Sequence, residues 1–384
     1  MIDFVNEAKS EAKFFEGKIL ELRRILHADP ELGNQEFRTA DKIQKFLGEL
    51  GIESRRILDT AVIADLKFSN PGKCVAFRAD IDALPIDEKT GVEFASRNPG
   101  VMHACGHDVH MSALLGAALI LKKHVNDSGL GGTLRFLFQP NEEVTGGAER
   151  MIEAGCLDGV DAVFGAHVSP EIPAGHVAVK YDEFYAAAEL FDVEILGKSS
   201  HGAEREKGID AIQATSELVT DILSMNASNA VITVGAFHAG TVRNIIADSA
   251  KISGMIRTFG IENREFLRQE IVRKCEAICK KFGTKFDANL SHGYVGVVND
   301  NAMTDFVRNT AEKIFGADNV HVLHKHEYIT EDFGYFLLER PGSFYHIGAG
   351  CEFPLHSNSF LPTDEAVLTG AALHAGIAAE FLRA

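Results

Sequence analysis

Apolar residues recur at helical spacing from the N-terminus to about His27, predicting an amphipathic opening helix that the break Asp29-Pro30-Glu31-Leu32-Gly33 ends. A second helix covers roughly Thr39 to Leu50 and stops at Gly51. Short apolar runs then alternate with helical stretches through about Lys180, as expected of a mainly parallel sheet flanked by helices. Cys74 to Ala79 runs into Asp80-Ile81-Asp82, and Thr133 to Phe138 is stopped by Pro140 and followed by Glu142-Glu143. Asp161 to Ala166 ends at His167, while Ser343 to Gly348 leads through a Gly-rich turn to Leu355-His356-Ser357. Acids and imidazoles thus follow the strands, where open α/β sheets keep their chemistry.

The rhythm changes between about Asp182 and His292. Strand Glu189 to Leu196, helix Asp210 to Met225, strands Val231 to Phe237 and Ala250 to Thr258, helix Glu262 to Phe282 and strand Lys285 to Ser291 give β-α-β-β-α-β. That order is ferredoxin-like, with ends close enough for insertion into a host. The predicted class is α/β: a mainly parallel-sheet domain from residues 1–181 and 294–384, interrupted by a ferredoxin-like α+β domain at 182–293.

The chemistry concentrates in Met102 to His110, which packs a thiol, three imidazoles and a carboxylate into nine residues. Cys105 and His107 lie two apart, so irregular backbone can aim both to one side, and thiolate plus imidazole suits zinc or a related transition ion. Alone, Cys-x-His is more often a buried small hydrophobe beside a satisfied imidazole. Its weight comes from Glu142-Glu143, where one carboxylate can bind metal while its neighbour takes a proton from water. The combination reads as a metal-dependent hydrolase.

Composition narrows the partners. The chain has 384 residues, 46% hydrophobic, with 38 basic against 55 acidic side chains for a formal charge of −17. That excess argues against nucleic acid. Cys74, Cys105, Cys156, Cys275, Cys279 and Cys351 form no dense framework and fit a reducing, cytoplasmic setting. The charged N-terminus carries no signal-peptide pattern, and the apolar stretch from about Met111 to Leu121 is too short to span a bilayer.

Arg78-Ala79-Asp80-Ile81-Asp82-Ala83-Leu84-Pro85, the block around Cys105, Gln139-Pro140-Asn141-Glu142-Glu143, Gly165-Ala166-His167 and Leu355-His356-Ser357 occur in the order seen in the M20 metallopeptidase family. The resemblance runs from about Leu22 to the C-terminus and is greatest to the amidohydrolase branch: aminoacylases, hippurate hydrolases, auxin-conjugate hydrolases and N-acetyldiaminopimelate deacetylases. It implies a di-metal hydrolase domain with two divalent transition ions bridged by Cys105, zinc, manganese, cobalt and nickel all being suitable. Glu143 and His356 would complete one site, His107 and His167 the other. Glu142 would be the general base. The inserted domain would be a lid and dimerisation module whose His201 reaches an oxyanion, commonly across a homodimer. Asn244 and Arg257 match positions that bind substrate carboxylate or amide. The implied substrate is a small N-acyl amino acid; a carboxypeptidase or dipeptidase and N-acetyldiaminopimelate deacetylation are the alternatives.

Asp82 and Asp108 are candidates for orienting ligand imidazoles. Two departures from close relatives, Asn141 before the acid pair and Glu204-Arg205-Glu206-Lys207 after His201, leave the metal set intact and could reshape the substrate pocket or lid. His103, His110, His238, His321, His324, His326 and His346 are expected at the surface or behind the ligands.

Overall fold

A computed structural model describes residues 4–126, 129–225 and 229–383. They separate into two compact units. One holds the described residues through Asp182, Val298–Lys325 and those from Asp332 onward; the other holds Glu183–Val297 and His326–Glu331. No sequence pattern marks the return of His326–Glu331 to the second unit. It is held there by backbone bonds, including Ala186 N–H to the Ile329 carbonyl at 3.0 Å.

The first unit is built on an eight-stranded sheet. Its spatial order is Ser54–Ile57, Ala61–Lys67, Gly131–Gln139, Asn70–Asp80, Ala162–Ser169, Gly342–Gly348, Val177–Val179 and Val320–Val322. The central pairings, from Gly131–Gln139 through Gly342–Gly348, are parallel. Ala162–Ser169 and Gly342–Gly348 are buried along their whole lengths, which explains their nearly continuous apolar sequence.

Helix His107–Lys123 packs against Asp364–Arg383 in the core of this unit. Small residues set their approach: a Cβ on Gly116 would lie 2.8 Å from that of Ala371, and one on Gly370 would lie 2.7 Å from that of Ala113. Asp364–Arg383 exceeds the apolar stretch expected near Met111 to Leu121. Its 20 residues are long and apolar enough to cross a membrane, yet 89% of its most apolar window is buried within the protein. It is a core helix. The single opening helix is also corrected, because Phe15 separates Phe4–Phe14 from Glu16–His27.

The second unit carries a four-stranded antiparallel sheet ordered Ala230–Ala239, Ser249–Thr258, Ala187–Leu196, Lys285–His292. Helices Ala211–Leu223 and Ile261–Phe282 contribute Leu218, Ile222, Leu267 and Ile271 to the apolar core shared with this sheet. This 2-3-1-4 order is consistent with the ferredoxin-like arrangement.

Candidate metal centre

The centre starts from a turn. Gly106 precedes helix His107–Lys123 at φ 87°, and a Cβ there would lie 2.4 Å from Val168 Cγ2. Glycine therefore lets Cys105 and His107 flank the turn while strand Ala162–Ser169 stays close. His107 donates from Nδ1 to the Asp82 carbonyl at 2.8 Å, with Asp82 Oδ1 at 3.4 Å. This fixes the tautomer and leaves Nε2 buried without a hydrogen-bond partner among the described residues.

His167 donates from Nδ1 to the Val168 carbonyl at 2.7 Å and turns Nε2 toward Cys105 Sγ at 3.3 Å. Glu143 Oε1, also buried without a hydrogen-bond partner among the described residues, lies 3.8 Å from His107 Nε2 and 3.5 Å from His356 Nε2. His356 adopts φ 64° and is anchored by its N–H on the Ala104 carbonyl at 2.8 Å.

Within the first unit, potential ligand atoms lie within 4.8 Å of one another in four overlapping sets: Cys105, His107, His167; Cys105, Glu143, His356; His107, Glu142, Glu143; and Asp80, His107, His110. Cys105 is common to the first two. Thiolate, imidazole and carboxylate are donors for divalent transition ions, and a cation would satisfy the orphaned His107 Nε2 and Glu143 Oε1. The residues present fit a divalent metal.

The charge distribution agrees. Burial and the Glu143 and Glu142 carboxylates push the Cys105 thiol well up. Burial alone would lower His107, but Asp80, Asp82 and Glu143 drive it up to about 10. His167 is pushed well down, chiefly by burial. Burial raises Glu143, yet His356 and His107 together bring it below the usual range. The cage around His107 favours added positive charge.

Behind these donors lies a network that periodicity does not reveal. Asp80 accepts from His110 Nδ1 at 2.6 Å, and His110 Nε2 accepts the Val168 N–H at 2.9 Å. Arg78 donates to Asp80 at 2.6 Å, to Gln139 at 2.9 Å and to Asp332 at 2.9 Å. Asp332 also accepts the N–H groups of Gly147 and Ala148, opening helix Ala148–Glu153. An arginine inside an apolar strand was the available signal.

One expectation needs correction. Asp108 does not orient a ligand imidazole; it accepts from His27 Nδ1 at 2.9 Å and Arg23 Nε at 3.1 Å. Consecutive helical residues point about 100° apart, so Asp108 faces away from His107. Asn141 is fully buried, and its amide donates to Thr145 Oγ1 at 2.7 Å and the Gly146 carbonyl at 3.3 Å. It shapes the acid turn.

In the second unit, His201 pairs with Ile245 in a short antiparallel ladder, and Gly202 N–H donates to the Asn244 carbonyl at 2.8 Å. His201 and Asn244 thus share one turn region. Arg257 lies on Ser249–Thr258 and donates from Nη1 to the Tyr328 carbonyl at 2.7 Å. Glu204-Arg205-Glu206-Lys207 is exposed, and Arg205–Lys207 forms a 3₁₀ turn.

Residues 76–380 match the model of peptidase family M20/M25/M40. An N-acetyl-L-cysteine deacetylase of Bacillus subtilis is 40% identical over 361 residues, covering 92% of this chain and 85% of that one. Thermostable carboxypeptidase 1 of Saccharolobus solfataricus is 35% identical over 396 residues, covering 99% of each. A solved Bacillus subtilis structure, described as a dinuclear metal-binding peptidase of the M20 family, is 34% identical with a TM-score of 0.87, covering 97% of this chain and 99% of that one. The chain belongs to peptidase family M20/M25/M40 and is a metal-dependent hydrolase.

Proposed function

We propose that this enzyme hydrolyses the amide bond of N-acyl-L-amino acids, releasing a carboxylic acid and the free amino acid. The observation that carries it is the adjacency of Glu142 to His107 and Glu143 in a buried donor cluster, which offers one carboxylate beyond the proposed ligands. The deacetylase relative supports an acyl group on an amino acid as substrate.

Two divalent ions, of zinc, manganese, cobalt or nickel, would share Cys105, with Glu143 and His356 on one and His107 and His167 on the other. When bound, they polarise the amide carbonyl and make water more acidic. Glu142 takes the proton from the attacking water as the new C–O bond forms, then passes it to the nitrogen as the C–N bond breaks. His201 donates a hydrogen bond to the developing oxyanion, while Asn244 and Arg257 engage the substrate's carboxylate or amide. We further propose a homodimer formed through the second unit, with His201 completing the partner's site. All six cysteines are free, supporting a reducing, cytoplasmic location.

The carboxypeptidase relative supports a second reading, in which the acyl group is itself an amino acid. The deciding experiment compares N-acetyl, N-benzoyl and longer N-acyl amino acids, including N-acetyldiaminopimelate, with dipeptides in the presence of Mn²⁺, Zn²⁺ or Co²⁺. Free amino acid should appear chiefly from the N-acyl compounds. A wide preference for dipeptides would establish the second reading.

A further inference from the structure

Glu36 has no part in the chemistry above, yet it touches the turn that carries Glu142. It is fully buried, and its Oε1 accepts the Asn141 N–H at 2.9 Å. On the other side of Glu142, the Glu143 N–H donates to Asp82 Oδ2 at 3.0 Å. The residues flanking the proposed base are therefore tied to two carboxyl groups from distant parts of the chain.

The turn needs such support. Asn141 holds φ 62°, a region in which side chains are uncommon. Gly33 approaches so closely that a Cβ on it would lie 2.3 Å from Asn141 Oδ1. The same segment reaches the neighbouring strand end through Ala83 N–H, which donates to the Glu31 carbonyl at 2.8 Å. Residues 31–36 thus brace both the Asp80-Ile81-Asp82 end and the acid turn. Burial, reinforced by the Asp82 charge, pushes the Glu36 carboxyl up to about 7 despite opposing hydrogen bonds. An apolar residue would avoid that desolvation cost but could not accept the Asn141 N–H.

We propose that Glu36 is a positioning residue which, by holding the Asn141 N–H, fixes the backbone so that the Glu142 carboxylate meets the attacking water. The inference rests on Glu142 being the base. Glu143 has its own anchor in Asp82, so loss of Glu36 should disturb proton transfer more than metal binding. A displacement of about 1 Å at a reacting group can cost on the order of 10²-fold in rate.

The test uses the full chain loaded with metal and an N-acyl amino acid that it hydrolyses. Glu36→Ala should lower kcat by about 10- to 100-fold, with KM within about threefold and metal per chain unchanged. Glu36→Gln keeps an oxygen acceptor and should bring kcat back to within about threefold of the parent. In a Glu142→Gln background, Glu36→Ala should remove little further activity, because the positioned base is already gone. If Glu36→Ala does not fold, Glu36→Asp, which retracts the acceptor by one methylene, should give the same kcat-selective loss. The inference fails if metal falls in step with kcat, if Gln is as impaired as Ala, or if the losses multiply in the double variant. Undiminished kcat in folded Glu36→Ala beside an inactive Glu142→Gln overturns this inference alone. Normal turnover by Glu142→Gln overturns the base assignment and this inference with it.

Discussion

Cys105 Sγ and His167 Nε2 meet at 3.3 Å although 62 residues separate them in the chain. The strand Ala162–Ser169 carries His167, while the turn before His107–Lys123 carries Cys105, and Gly106 permits their approach. Cys105 is also the shared member of the two proposed ligand sets.

Replacing Cys105 should therefore affect both metals together. Purified parent protein should hold up to two transition ions per chain, and Cys105→Ala should lose most of both by elemental analysis. Full stoichiometry in the variant would remove Cys105 from the site.

His27 gives a pH-dependent prediction away from the ligands. Burial alone would lower its pKa, but hydrogen bonds and charge from Asp108 and Glu88 raise it from 6.5 to about 9. The folded chain then keeps a proton that the unfolded chain releases above about 6.5. The stabilisation is fully present below pH 6.5, declines between about 6.5 and 9, and is lost above that window. It is on the order of 3 kcal/mol at most. Denaturant unfolding across this range should show the parent losing stability relative to His27→Asn. Parallel profiles would mean that His27 is not the group being titrated.

Much of this arrangement was legible because strand patterning and residue chemistry agreed. Apolar runs ending at Asp80, His167 and the turn before Glu142 anticipated the large sheet, and Cys105-x-His107 supplied the donor motif. His356 was harder to find from local pattern: it follows an irregular turn and depends on a backbone bond to Ala104. The Arg78–Asp332 pair spans 254 positions, so neither helical nor strand periodicity could announce it. Asp108 misled because sequence adjacency to His107 says nothing about the direction of a side chain on a helix. Glu36 stayed hidden because its partner is a backbone N–H, which any residue but proline supplies.

The second unit contributes the prediction for assembly. Glu142→Gln and His201→Ala should each be inactive, and a mixture allowed to exchange subunits should recover part of the activity. A heterodimer can pair an intact Glu142 from one chain with an intact His201 from the other. If exchange is demonstrated and no activity returns, His201 does not complete the partner's site.

Steady-state turnover and metal content of Glu142→Gln, measured on the same preparation, test the central claim most directly. The amide preserves size and can still form hydrogen bonds, but it cannot serve as the carboxylate base. The account predicts a fall in kcat of at least about 10²-fold with metal content unchanged. Near-normal turnover with the metal in place would contradict it.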